Sequence, residues 1–329
     1  MTSESSDILS SSVTARELYE SPGSRLKLKL LAGSGGLDNL INSPRIQKLG
    51  LALAGYVDYL HRGRVQIIGG TEINYLEMLS VTQRRSAIEN VFSQRICCIV
   101  VTKRLKAPVD LLRNADQHKV PVFQTESLSS VAIDEITGFL EEELAPTTTI
   151  HGVLMEVFGV GVMLLGTSGV GKSECALDLI LRGHRLVSDD VILIRKFGAD
   201  RLVGSGPSDL QFHMELRGLG IINIKELFGV SALSPRKEID LAIDLVRWRA
   251  DSDYDRLGVE ERQYSLLDVA VAVVSMPVAS GRNLAMLVEV AVRIQMLKSQ
   301  GYSPSSEFFK RLEARMREPS SPVGRAGRL

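Results

Sequence analysis

Gly166-Thr167-Ser168-Gly169-Val170-Gly171-Lys172-Ser173 fits G-x-x-x-x-G-K-[ST], the glycine-rich loop that cradles phosphate oxygens. The pattern constrains the fold as much as the ligand. Its glycines must lie between a strand that delivers the loop and a helix whose N-terminus faces the anion. The flanks supply both. Val160-Gly161-Val162-Met163-Leu164-Leu165 reads as a buried apolar strand, and Ser173 to Arg182 carries apolar residues at the three-to-four spacing of a helix. Glycine lets successive N–H groups converge on one anion, and the helix dipole adds to their field. In that arrangement all eight loop residues are candidate nucleotide contacts. Lys172 reaches the outer phosphates, and the Ser173 hydroxyl ligates Mg²⁺.

The rest of the composition narrows the partners. A chain of 329 residues with 44% hydrophobic content is long enough for two domains with real cores. Lys+Arg and Asp+Glu both number 39, so bulk charge attracts neither nucleic acid nor an anionic membrane, and neither is expected as a partner. No apolar run approaches the roughly 18–20 residues that span a bilayer. The N-terminus lacks a charged-then-apolar leader pattern. Cys97, Cys98 and Cys175 form neither a disulfide framework nor a metal-ligand spacing, and that usage suits a reducing cytoplasm.

Two α/β domains are expected. Residues 1–12 are serine-rich and read as disordered, and residues 13–145 read as a mixed α/β domain. Within it, 96–101 predicts a buried strand and 108–115 a helix with Pro108 in its first turn. Residues 120–123 predict a short strand and 126–143 an amphipathic helix. Glu77, Arg84 and Arg85 read as surface charges. Ala145-Pro146-Thr147-Thr148-Thr149 is the linker candidate. The second domain, residues 146–318, opens with strands about a Phe158-Gly159-Val160-Gly161 turn and then the phosphate loop. A strand over 188–194 follows, with Asp189 and Asp190 at its start, and a hairpin turn at Gly198-Ala199-Asp200. Helices are expected over 283–298 and 306–317, and a mobile tail over 319–329.

A phosphate loop indicates a nucleotide, not a reaction. No Asn-Lys-x-Asp is present to read guanine. Asp189-Asp190 begins its apolar run, whereas the acidic residues of ATPase motors end one. A compact phosphotransferase fits better. By residue type the acidic pair suits a turn, but the strand it opens returns beside the nucleotide. One carboxylate there can orient Mg²⁺ or its water, and the other can take a proton from an acceptor hydroxyl. A lone histidine is more often structural than catalytic, and His61, His118, His184 and His213 are read so. Met214 to Asn223 interleaves Glu215 and Arg217 with glycines and apolar residues, as a loop approaching a metal–phosphate centre would. Asp255-Arg256-Leu257-Gly258 and Pro277-Val278-Ala279-Ser280-Gly281-Arg282 each set an arginine beside glycine, suited to planar phosphate contact. The residues alone leave two alternatives open: a kinase of a small metabolite, and a nucleotide-binding regulator without catalysis.

Taken together these segments resemble the bacterial HPr kinase/phosphorylase family. The resemblance rests on His151-Gly152, the phosphate loop followed by Glu174, Arg182-Gly183-His184 through Asp189-Asp190, and the Glu215–Gly229 block. The run from Asp255-Arg256-Leu257-Gly258 to Gly281-Arg282-Asn283-Leu284-Ala285 completes it. It is strongest over about residues 150–302; the first domain is similar less specifically, through Gly69-Gly70-Thr71-Glu72. The resemblance implies a second domain similar in fold to phosphoenolpyruvate carboxykinases, a homohexamer, and a place in phosphotransferase-system regulation and carbon metabolism. It implies phosphorylation by ATP of a regulatory serine on HPr or an HPr-like carrier. It also implies removal of that phosphate by inorganic phosphate, giving pyrophosphate. By position, Lys172 and Ser173 bind nucleotide and Mg²⁺, and Glu215 is a further metal ligand. Asp190 is the base toward serine and the acid in reverse, and His151 and Arg256 lie near the transferring phosphate. Met214–Asn223 serves both reactions and Pro277–Arg282 chiefly phosphorolysis. The family's loop often reads Pro-Val-Arg-Pro-Gly-Arg; Ala279-Ser280 here removes a cation and a fixed φ.

Overall fold

The structure is a computed structural model that describes residues 12–21, 26–207, 212–248, 262–279, 281–302, 307, 310 and 311. Two compact units divide the chain between Pro146 and Thr147. Each is a mixed α/β unit.

The first unit is built on a five-stranded sheet, in the order Lys29–Ala32, Val122–Gln124, Ile99–Val101, Gln66–Ile68, Gln47–Lys48. The last four run parallel and Lys29–Ala32 is antiparallel at one edge. Both faces are covered, so the strands read as unbroken apolar runs. Ile68, Ile99, Val101 and Val122 point to the side of helices Gly70–Met78, Val81–Phe92 and Val109–His118. Ile67, Val100 and Phe123 point the opposite way, to helix Ser129–Glu143. Cys97 and Cys98 are buried on that second side, as core residues. The expected strand over 96–101 pairs only from Ile99. Pro108 is the N-cap of its helix (φ −58, ψ 143), one position before the expected first turn. Its extended ψ orients the chain into the helix, and proline has no N–H to leave unpaired there.

The second unit has a six-stranded sheet in the order Arg185–Ser188, Val153–Val157, Val160–Gly166, Leu241–Arg247, Val269–Val278, Arg262–Leu266. Val160–Gly166, Leu241–Arg247 and Val269–Val278 are parallel. Val162 and Leu164 face helices Lys172–Leu181 and Leu284–Ser299, while Met163 faces a second, antiparallel sheet through Ile192, Ile194 and Leu202. That sheet orders Arg236–Glu238, Arg201–Ser205, Val191–Phe197 and Thr147–His151. The expected linker therefore ends in a strand: Thr147–His151 pairs with Val191–Arg195. Threonine's branched Cβ favours extended backbone, and that preference prevails over the loop reading. The turns at Phe158-Gly159 and Gly198-Ala199-Asp200 link antiparallel neighbours, as the sequence indicates.

The expected strand over 188–194 is two strands, Arg185–Ser188 and Val191–Phe197, broken at the acidic pair. Asp190 takes φ +68, and Val191 N–H donates to the Asp189 carbonyl two residues back at 2.9 Å. This is a γ-turn, and aspartate is among the few non-glycine residues that tolerate its left-handed centre. Residues 1–11, most of the expected helix over 306–317 and the tail over 319–329 lie outside the described residues, as do Arg256 and Ser280. Among the described residues no helix is long and apolar enough to cross a membrane.

Candidate active site

The strand Val160–Gly166 and the helix Lys172–Leu181 deliver the phosphate loop, with Gly171 as the helix N-cap at φ +106. Gly169 takes φ +73, and a Cβ there would lie 2.6 Å from the Arg217 guanidinium nitrogens. Glycine is favoured at that point by its positive φ, and the Arg217 guanidinium lies directly over it. The Lys172 ammonium donates to the carbonyls of Gly166 (3.0 Å) and Thr167 (3.4 Å), so its charge is folded over the loop.

A cleft of about 120 Å³ opens on this loop. Ser168, Gly169, Gly171, Lys172, Ser173 and Glu174 form one wall, and Asp189, Asp190, Glu215 and Arg217 the other. The two aspartates, adjacent in sequence, differ sharply. The Ser173 hydroxyl donates to Asp189 at 3.0 Å, and the Glu215 N–H donates to the same carboxylate at 3.3 Å. Burial pushes the Asp189 carboxyl above its ordinary range. The Ser173 and Glu215 hydrogen bonds oppose that rise, and the neighbouring Asp190 charge adds to it. Asp190, by contrast, has a side chain 80% exposed, with His151 Nδ1 3.8 Å from its Oδ1. The γ-turn separates their directions: one carboxylate is turned inward to Ser173 and the other outward to solvent.

Of the residues expected at the site, the structure brings together the loop, Asp190 and Glu215, and sets His151 beside Asp190. Pro277 and Arg282 line a different cavity of about 550 Å³ with Trp248, Val274, Val290 and Ile294. Just after that segment, Leu284 opens the helix Leu284–Ser299, and its Cδ1 would lie 3.8 Å from a Cβ on Gly171. Two cleft residues carry no specific role in the sequence pattern. For Asp189 the sequence offers only that one carboxylate of the pair can orient Mg²⁺ or its water, and no glycine announces the turn that separates it from Asp190. Arg217 is there one charge in a glycine-rich run, and only the tertiary fold lays it over Gly169. His184, read as structural, is 6% exposed and lies 3.0 Å from Glu289.

The family model of the HPr serine kinase C-terminal domain matches residues 142–312, and that of the HPr serine kinase N terminus matches residues 13–140. The HPr kinase/phosphorylase of Geobacter sulfurreducens is 49% identical over 305 residues, 93% of this chain and 96% of that protein. The HPr kinase/phosphorylase of Geobacillus thermodenitrificans is 40% identical over 294 residues, 89% and 95% of the two chains. Among solved structures, the HPr(Ser) kinase/phosphatase from Coxiella burnetii matches at 37% identity and a TM-score of 0.45. It covers 49% of this chain and 98% of that one. With both of its domains matched and relatives aligned over most of its length, this chain belongs to the HPr kinase/phosphorylase family.

Proposed function

We propose that this chain transfers the γ-phosphoryl group of ATP to a serine hydroxyl of HPr or an HPr-like phosphocarrier. The same cleft removes that phosphate by phosphorolysis. The observation that carries the reading is the unlike pair at the cleft: Asp189 is committed to Ser173, and Asp190 is open to an incoming hydroxyl. The relatives' name, HPr kinase/phosphorylase, supports the carrier and both directions.

The donor set suits Mg²⁺. Ser173, Asp189 and Glu215 offer hard oxygens in one cleft. Mg²⁺ favours such partial coordination, completed by phosphate oxygens and water. When bound it supplies neutralisation of charge on the reacting phosphates. Ser173 and Glu215 would hold it, with Asp189 fixing the Ser173 hydroxyl. Lys172 contributes a cation to the loop that receives the β- and γ-phosphates. Asp190 takes the serine proton as the serine oxygen bonds to phosphorus; the bond from that phosphorus to the bridging oxygen breaks and ADP leaves. In reverse, an oxygen of inorganic phosphate bonds to the phosphorus of phosphoserine. The serine oxygen departs with the proton held by Asp190, and pyrophosphate is formed. His151 is beside this exchange. Arg256 is assigned there by its motif alone, and Pro277 to Arg282 to phosphorolysis. A cytoplasmic homohexamer accompanies the reading.

Transfer of label from γ-labelled ATP to purified HPr and to its nitrogen-pathway relative tests the proposal. Phosphate is then added and pyrophosphate assayed. Serine-bound label on a carrier, released with stoichiometric pyrophosphate, is expected. Label that reaches a small metabolite and no carrier would overturn the assignment.

A further inference from the structure

The hairpin formed by His213–Leu216 and Gly220–Asn223 carries side chains that the chemistry above does not use. Alternation sends Met214 and Leu216 inward, where they are 1% and 4% exposed. Glu215 and Ile221 are direct register partners on the outer face. Opposed residues of an antiparallel pair hold their Cβ atoms about 4.5–5.5 Å apart on one face. At the tip, Leu219 N–H donates to the Leu216 carbonyl at 3.1 Å, and Gly218 and Gly220 take φ +88 and +84 on either side of Leu219. Leu219 is 75% exposed and Ile221 74%. The hairpin is anchored to the cleft twice, by Glu215 N–H on Asp189 at 3.3 Å and by Arg217 over Gly169. Two large exposed apolar side chains are thus carried on the same hairpin as Glu215 and Arg217, which line the cleft, and Ile221 is the cross-strand partner of Glu215.

An apolar ridge presented by a fixed hairpin beside a charged cleft calls for a cover. Its position says which. The Asp190 and His151 side chains are 80% and 82% exposed, so the acceptor side of the cleft is open. A small acceptor needs a closing lid to exclude water, whereas a protein acceptor brings its own surface. A serine that reaches Asp190 sits on a surface that also lies across Glu215. Whatever lies across Glu215 meets Ile221, its cross-strand partner. We propose, resting on the activity assigned above, that Leu219 and Ile221 form the docking ridge for the protein substrate. The substrate then presents an apolar patch beside its serine. Two roles thereby divide the Met214–Asn223 segment. Glu215 and Arg217 face the phosphate, and Leu219 and Ile221 grip the carrier.

The test is steady-state kinase kinetics with HPr or whichever carrier the wild-type protein phosphorylates, using Leu219→Ser, Ile221→Ser and the double variant. Leu219→Met and Ile221→Val serve as apolar controls. Each serine variant should raise KM for the carrier about ten-fold, the scale of removing one large apolar side chain from an interface. The double variant should raise it further. Affinity for a fluorescent ATP analogue should stay within about two-fold of wild type, and the apolar controls should restore carrier KM to within about three-fold. An unchanged carrier KM in both serine variants overturns the docking ridge and leaves the activity standing. So does a loss of nucleotide affinity equal to the loss for carrier, or a change in oligomeric state at constant KM. Failure of the wild-type protein to phosphorylate any carrier counts against the activity itself and removes the ridge with it. If the double variant does not bind nucleotide, the single variants decide.

Discussion

Each unit of the chain holds a partly covered aspartate, and the two do so differently. In the first unit Asp110 lies in the first turn of helix Val109–His118 and accepts from Arg84 Nε and Arg85 Nε, both at 3.2 Å. Its side chain is 12% exposed and Arg84's is 25%. Paired with two guanidiniums and favoured by the helix dipole, that carboxylate is held ionised and immobile. In the second unit Asp189 and Asp190 are adjacent, and among the described residues neither is paired with lysine or arginine. Asp189 is left with hydroxyl and amide donors and a raised pKa, and Asp190 with solvent and His151. A carboxylate saturated by guanidinium stabilises a fold but is poorly placed to bind a metal or accept a proton. Keeping cations off the pair in the second unit leaves it free for both.

The comparison breaks first at Asp190. Asp190→Asn keeps the shape and removes the proton acceptor. Carrier phosphorylation should fall about 10²–10⁴-fold, with nucleotide affinity close to wild type by equilibrium titration. If nucleotide affinity collapses while bound nucleotide still turns over, Asp190 is a ligand and the base must be sought at Asp189.

Arg282 tests whether a cation kept away from the carboxylates acts on phosphate instead. With Ala at 279, Arg282 is the arginine that remains in its segment. Arg282→Ala should raise the phosphate concentration for half-maximal pyrophosphate release about ten-fold, the scale of a charged hydrogen bond. The kinase rate should change less. Equal losses in both directions would assign the segment to the shared site.

At Asp110 the expected effect is confined to stability. Asp110→Ala strands two guanidiniums and should cost about 1 kcal/mol in denaturant unfolding, with carrier phosphorylation kinetics unchanged. A matching loss of kcat would mean that the first unit's charges take part in turnover.

The smallest effect is at Asp189 and carries a sign. Its folded pKa is raised. The folded state therefore holds that proton more tightly than the unfolded chain does. The group's favourable contribution is present below the ordinary carboxylate range and is lost as pH rises through the raised value. Asp189→Asn cannot ionise. Without nucleotide it should melt above wild type near neutrality, because the variant is spared the cost of a buried charge. The gap should close as pH falls into the usual carboxylate range. Calorimetry showing a lower melting temperature at neutral pH would mean that the Ser173 and Glu215 hydrogen bonds outweigh the burial.

Local chemistry made much of this readable in advance. The strand, glycine turn and helix around Gly166–Ser173 follow from apolar spacing and from glycine's access to positive φ, both short-range properties. So do the buried run at Ile99–Val101, the Phe158-Gly159 turn and the helix after Asn283, whose side chain caps Met286 N–H at 2.8 Å. The family-specific order of motifs marked Glu215 and Asp190 for the same site. The division of the acidic pair between metal and proton was legible as well; what sequence could not carry was the unlike surroundings of its two members. Asp189 and Asp190 are one dipeptide, and their unlike environments come from a γ-turn held between strands that pair with Val153–Val157 and Thr147–His151. Arg217 reaches Gly169, and Glu215 N–H reaches Asp189, across separations of 48 and 26 residues that no local pattern encodes. Local propensity sets which residues can turn, cap or bend the chain. Only the packing of both sheets and the hairpin on one core decided which carboxylate would be covered and which left open.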